Sequence, residues 1–150
     1  MVKTIKHKKT HKKTRKSNLL SKQKIQQKIV MMFLRMLNTI KLYHWRTFSY
    51  AQHKATDELY ANLNTNIDAF VEIMLGKTGG RVNLTNHNTL PLLDYSNVSK
   101  FTKEIDCYKN FLIDMNKYDA INTTNNSDLL NIRDEMLSDL NKFTYLLTLK

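Results

Sequence analysis

The chain has 150 residues, 41% of them apolar and 25% charged, enough for one domain with a sizeable core, short for two, and unlike a disordered or fibrous chain. A single cysteine, Cys107, leaves no disulfide framework and no cysteine-built zinc cage, and points to an intracellular, reducing home. The net charge of +11 is unevenly placed: residues 1–56 hold twelve Lys and three Arg with no acid, whereas the remainder carries nine bases and thirteen acids.

That asymmetry begins in the first sixteen residues, where Lys3, Lys6, Lys8, Lys9, Lys12, Lys13, Arg15 and Lys16 stand among few apolar residues. Such a stretch buries too little to fold alone and reads as a disordered basic arm over residues 1–17, with the folded domain occupying 18–150. An arm of this kind neutralises phosphates by releasing counterions, so DNA or another polyanion is the expected partner. An import signal and a merely solubilising tail are the alternatives.

From Ser17 onward the apolar residues take the three-and-four spacing of helices. Ile25, Ile29, Met32, Phe33, Met36, Leu37, Ile40 and Tyr43 mark helix A, from about Leu19 to Trp45. After a break at Thr47–Ser49, Tyr50, Leu59, Leu63, Ile67, Phe70, Val71 and Met74 mark helix B. Gly76 is the expected left-handed cap of B. Residues 77–97 hold Gly79, Gly80 and the sole proline, Pro91, and form a long connection. Helix C is expected from about Val98 to Tyr118, capped by Ser96 or Ser99, and helix D from about Asp128 to Leu149, capped by Ser127. The longest apolar run, Ile29 to Leu34, falls far short of the roughly 20 residues that cross a bilayer, so no membrane is expected as a partner.

A short A–B turn, a long B–C connection and a short C–D loop predict an all-α, four-helix bundle with one crossover, the connectivity of ferritin-like folds, with B and C parallel.

Helix B also carries His53, Asp57, Asp68 and Glu72. At 100° per residue these four share a face about 100° wide, and Ala61 and Asn64 between them leave room for another backbone. The pairs His53/Asp57 and Asp68/Glu72 lie about 22 Å apart along the helix, too far for one ion to touch both. A second helix B, antiparallel about a two-fold axis near Asn62 and Leu63, would bring the first pair of one chain against the second pair of the other and create two sites. Mixed imidazole and carboxylate donors suit iron and related divalent metals.

The stretch KLYHW (41–45), followed by H-x3-D (53–57) and D-x3-E (68–72), resembles the Dps-type mini-ferritins, the DNA-binding proteins from starved cells. That resemblance implies a di-iron ferroxidase centre between two-fold-related subunits of a homo-oligomer. His44, His53 and Asp57 would be ligands from one chain and Asp68 and Glu72 from the other, with Trp45 and Tyr60 close to the centre. It also implies that the basic arm binds DNA. The interval from His44 to His53 is shorter here than in that family, and the glycine usual in that turn is missing. The E-x-x-H of the long ferritins is missing as well: Glu58, Glu72, Glu104 and Glu135 are followed at the third position by Ala61, Leu75, Cys107 and Ser138.

The same core, with GKTGGR at 76–81, is similar to a family of small ferritin-like proteins encoded by large DNA viruses, which would place the chain in a host cell or virion. Zinc or manganese at the same ligands, and a non-enzymatic nucleic-acid-binding or virion structural role, are the competing expectations. Trp45 reads as a core anchor or a redox buffer beside the metal, and Cys107 as a small buried hydrophobe on helix C.

Overall fold

The computed structural model describes residues 3–85, 89–118, 121 and 124–149, giving the backbone alone for residues 3–21 and 124. It is all-helical, with no strand among the described residues: α1 (Lys3–Arg46), α2 (Tyr50–Thr78), α3 (Val98–Asp114) and α4 (Ser127–Leu146), with 3₁₀ turns at Met115–Lys117 and Thr124–Asn126.

Helix α1 starts well before Leu19. No Gly or Pro interrupts Lys3–Arg46, and Lys, Arg and Gln, which dominate its first half, are good helix formers. The backbone of residues 3–17 continues α1 where the sequence reading expects a disordered arm; the side chains of residues 1–21, and with them the expected contacts of that arm, lie outside the described residues.

Hydrogen bonds between residues far apart in sequence set the helix directions. Gln26 donates to Thr78 at one end of the α1/α2 pair, and Tyr43 to Gln52 at the other, so these helices run antiparallel. Tyr43 stacks on Phe101 at 3.8 Å while Phe33 meets Phe111 edge-on, so α3 also opposes α1. Lys142 reaches Glu58 and Lys77 reaches Asp128, so α4 opposes α2. Helices α2 and α3 therefore share a direction, joined by the long connection, and α1 runs parallel to α4.

The core is one continuous cluster drawn from all four helices. Phe33, Phe70, Phe101, Tyr108 and Phe143 are its largest wholly buried side chains. The 5.4 Å edge-to-face contact of Phe33 on Phe70 and the 6.0 Å contact of Phe101 on Phe143 add specificity to the burial. A polar strap crosses the α1/α3 seam. Arg35 pairs with Glu104 at 2.7 Å, Tyr95 from the connection donates to the other carboxylate oxygen, and the buried Tyr108 hydroxyl donates to Thr39. Burial holds the Tyr108 hydroxyl far above its ordinary ionisation range, so it stays a donor.

Several helix ends differ from the sequence expectation. Gly76 lies inside α2, and the left-handed cap is Gly79 (φ 67°), whose N–H donates to the Leu75 carbonyl. The extra turn is held because the Thr78 hydroxyl donates to the Met74 carbonyl and Gln26 of α1 grips Thr78. Asn97, rather than Ser96 or Ser99, caps α3 through its side-chain oxygen on the Lys100 N–H, and the helix ends at Asp114, not Tyr118. Ser127 is the first residue of α4, not its cap. Cys107 is exposed, not buried, because it sits about 100° round α3 from Tyr108.

Candidate functional site

The α1–α2 corner is a three-residue turn, Thr47–Ser49. Ser49 caps α2 by accepting from the Gln52 N–H. The Gln52 side-chain oxygen in turn accepts from two hydroxyls, those of Tyr43 (2.7 Å) and Thr47 (2.8 Å), tying the end of α1, the turn and the start of α2 at one atom.

This brace brings His44 and His53 face to face. Their rings stack with centroids 3.9 Å apart and planes 24° from parallel. The hydrogen bonds beneath the stack are reciprocal: His44 Nδ1 lies 3.1 Å from the His53 carbonyl and His53 Nδ1 lies 3.0 Å from the His44 carbonyl. A carbonyl only accepts, so each Nδ1 carries a proton and donates it to the other residue's carbonyl. Second-shell carbonyls commonly fix a metal-binding imidazole in this way. Thr56, fully buried one helical turn on, donates its hydroxyl to the Gln52 and His53 carbonyls and seals the back of the pair.

His44 is 7% exposed, and its Nε2 lies 3.9 Å from Asp57 Oδ1, beyond hydrogen-bonding distance. His53, half-buried, and Asp57, exposed, complete a set of two nitrogens and a carboxylate at the surface end of the corner. Rings stacked so closely cannot both lie in plane with one ion at bonding distance.

Asp68 and Glu72 lie further along α2, both exposed, with exposed Ala61 and Asn64 between them and Asp57. The structure thus brings together His44, His53 and Asp57 and leaves Asp68 and Glu72 apart, about 22 Å away along the helix axis. Among the described residues of one chain, no group of three or more His, Cys, Asp or Glu side chains closes into a metal-binding cluster.

Trp45 is not a core anchor: it is 68% exposed, because Tyr43 and His44 take the inward positions of the last turn of α1. It shares a cation with Tyr60, since Lys41 Nζ lies 5.8 Å from the Trp45 ring centroid and 4.7 Å from that of Tyr60. Tyr50 is also exposed, not part of the apolar stripe. Phe48, on the turn itself, is fully exposed.

Gln52, Thr56, Tyr43 and Thr47 position this corner, and none of them was expected in the site from the sequence. Thr56 carried a signal, since it precedes Leu59 and Leu63 at helical spacing and so stands on the buried stripe. Gln52 carried none, because its role depends on how the turn folds back. No described helix is long and apolar enough to cross a membrane.

Neither the curated proteins nor the solved structures include a match to this chain. A family described as a family of unknown function (DUF5856) matches residues 44–147. The match begins at His44, takes in the whole histidine corner and the outer face of α2, and covers well over half of the sequence. The chain belongs to the DUF5856 family of unknown function.

Proposed function

We propose that this protein is a Dps-like mini-ferritin on a ferritin-like bundle, which takes Fe(II) as substrate at sites shared between two antiparallel copies of α2. The observation that carries the reading is the reciprocal histidine pair at the α1–α2 corner, with His44 Nε2 3.9 Å from Asp57. Support also comes from the parallel course of α2 and α3 across a long connection, a connectivity used by ferritin-like bundles.

In this reading His44, His53 and Asp57 of one chain meet the partner's Asp68 and the partner's Glu72. Imidazole and carboxylate donors suit iron, with zinc and manganese as competitors for the same atoms. Two iron ions give one electron each to peroxide, whose O–O bond breaks and whose oxygens leave as water or hydroxide; dioxygen is the alternative acceptor. The chain's own part is to hold the imidazoles in place, to supply carboxylates that balance the rising charge, and to bring two ions to one acceptor.

Anaerobic Fe(II) loading followed by peroxide tests the reading through the rise of ferric absorbance. In Asp57→Ala combined with Glu72→Ala the initial rate should fall by at least about tenfold, the lower bound for loss of groups supporting a metal site. An unchanged rate would sink it.

A second reading, a non-enzymatic nucleic-acid-binding or virion structural protein, is favoured by one observation, the fifteen bases without an acid in residues 1–56. It expects DNA binding that weakens steeply with salt and fails when residues 1–16 are removed, with no ferric signal above background.

A further inference from the structure

The exposed apolar side chains are unevenly placed. Nine large ones are exposed among the described residues, and all but Leu34 and Ile113 lie at the end of the bundle that carries the α1–α2 corner. Trp45, Phe48 and Tyr50 stand on the corner itself, with Phe48 fully in solvent. The Arg46–Asp94 ion pair brings Leu92 of the long connection to the same end, beside the start of α3. Tyr145 and Leu149 arrive with the close of α4, whose Lys142 is held against Glu58 near the start of α2. Separate pieces of chain thus gather aromatic and aliphatic side chains at one pole, whereas apolar side chains exposed singly are ordinary.

Charge says what such a pole meets. The segments that build it, residues 41–56, 95–103 and 140–150, hold seven bases and no acid. Of the acids that flank these segments, Glu58, Asp94 and Glu104 are paired with Lys142, Arg46 and Arg35, and Asp139 accepts from Asn62 and Asn66. Lys54, Lys100 and Lys103 are exposed bases outside those pairs. A basic pole is complementary to an anionic surface, whereas two copies meeting pole to pole set the same bases against each other. Single-stranded nucleic acid binds by stacking on open ring faces, and Lys41 already lies over the Trp45 ring. Phe48 presents no polar side-chain atom and suits hydrocarbon. Trp45, Tyr50 and Tyr145 combine an apolar body with a polar tip, the build of side chains that sit at headgroup level.

We propose that this pole docks on anionic lipid bilayers, with Phe48 entering the acyl boundary, the Trp and Tyr rings at headgroup depth and the lysines on the lipid anions. The contact lies on the bilayer and asks for no spanning segment. It needs no metal at the histidine corner, and it uses the opposite end of the bundle from the lysine-rich beginning of the chain.

Trp45 is the single tryptophan of the chain, so its fluorescence reports on this pole and not on the basic beginning of the chain. With vesicles of phosphatidylcholine and phosphatidylserine, the emission of the full chain should shift to the blue and be quenched by brominated acyl chains. With phosphatidylcholine alone both effects should largely vanish. Phe48→Ser combined with Leu149→Ser, both exposed in the wild type, should weaken the binding read at Trp45 by at least about tenfold, the lower scale for withdrawing two apolar side chains from lipid. If the protein sediments with anionic vesicles while Trp45 emission stays unchanged, the contact is made elsewhere and the proposal is overturned. It is equally overturned if the emission shifts with protein concentration alone, the mark of a second copy. A shift with oligothymidylate but not with vesicles overturns it in favour of single-stranded nucleic acid.

Discussion

At the scale of single residues, the chemistry of the corner is set by which nitrogen of each histidine holds its proton. Because each Nδ1 is bound to a backbone carbonyl of the other histidine's residue, both rings are committed to the same tautomer. Nitrogen-15 spectra of the imidazoles should show two protonated Nδ1 and two unprotonated Nε2 signals in the neutral form, and His44→Ala should perturb the His53 pattern. The reciprocity also makes the pair act as one unit, so single and double alanine variants should be alike in metal affinity rather than additive. His53 and Asp57 stood out from type and spacing and His44 from the resemblance, and the structure gathers them at one corner, with His44 stacked on His53 and 3.9 Å from Asp57. The stacking was not legible, since it depends on the Gln52 side chain accepting from Tyr43 and Thr47 across a turn whose path no periodicity encodes.

At the scale of elements, periodicity located all four helices and the break at Thr47–Ser49, because the burial stripe is the strongest signal a helix writes into a sequence. The ends were harder to place. Three closely spaced glycines compete to terminate α2, and the choice falls to Gly79 because a tertiary contact, Gln26 on Thr78, holds the helix one turn past Gly76. Substitution should separate the two. Gly79→Ala forces a left-handed backbone on a residue with Cβ and should lower stability by about 1–2 kcal/mol. Gly76→Ala, inside the helix with open space at its Cβ position, should raise stability by about 0.5–1 kcal/mol. Thermal or urea unfolding of the two variants checks the opposite signs. Asn97 took the cap of α3 over two neighbouring serines, a choice among near-equal capping residues that sequence leaves open.

At the scale of the whole molecule, the bundle end opposite the histidine corner is closed by Lys77 of α2, which reaches Asp128 at the start of α4. The hydrogen bond from Lys77 is the main reason the Asp128 carboxyl titrates below its ordinary value. The folded state thus favours the ionised form, and the tie contributes at and above the usual carboxylate range and is lost as pH falls through the depressed value. Asp128→Asn should therefore lower the melting temperature slightly near neutral pH, and the two melting curves should converge in strong acid. The fold class was legible from loop lengths and stripes. The polar strap of Arg35, Glu104 and Tyr95 was not, since one carboxylate on an apolar stripe does not announce its partners.

The parallel course of α1 and α4 has a geometric consequence. The chain enters the bundle at the end where Gln26 meets Thr78 and leaves it at the end where Lys142 meets Glu58, so its way in and its way out lie on opposite poles. The twenty residues of α4 alone separate these poles by about 30 Å. The lysine-rich beginning of the chain thereby lies a full bundle length from the histidine corner. A cargo fused after α4 would sit at the pole of that corner, at the far end of the bundle from the lysine-rich segment.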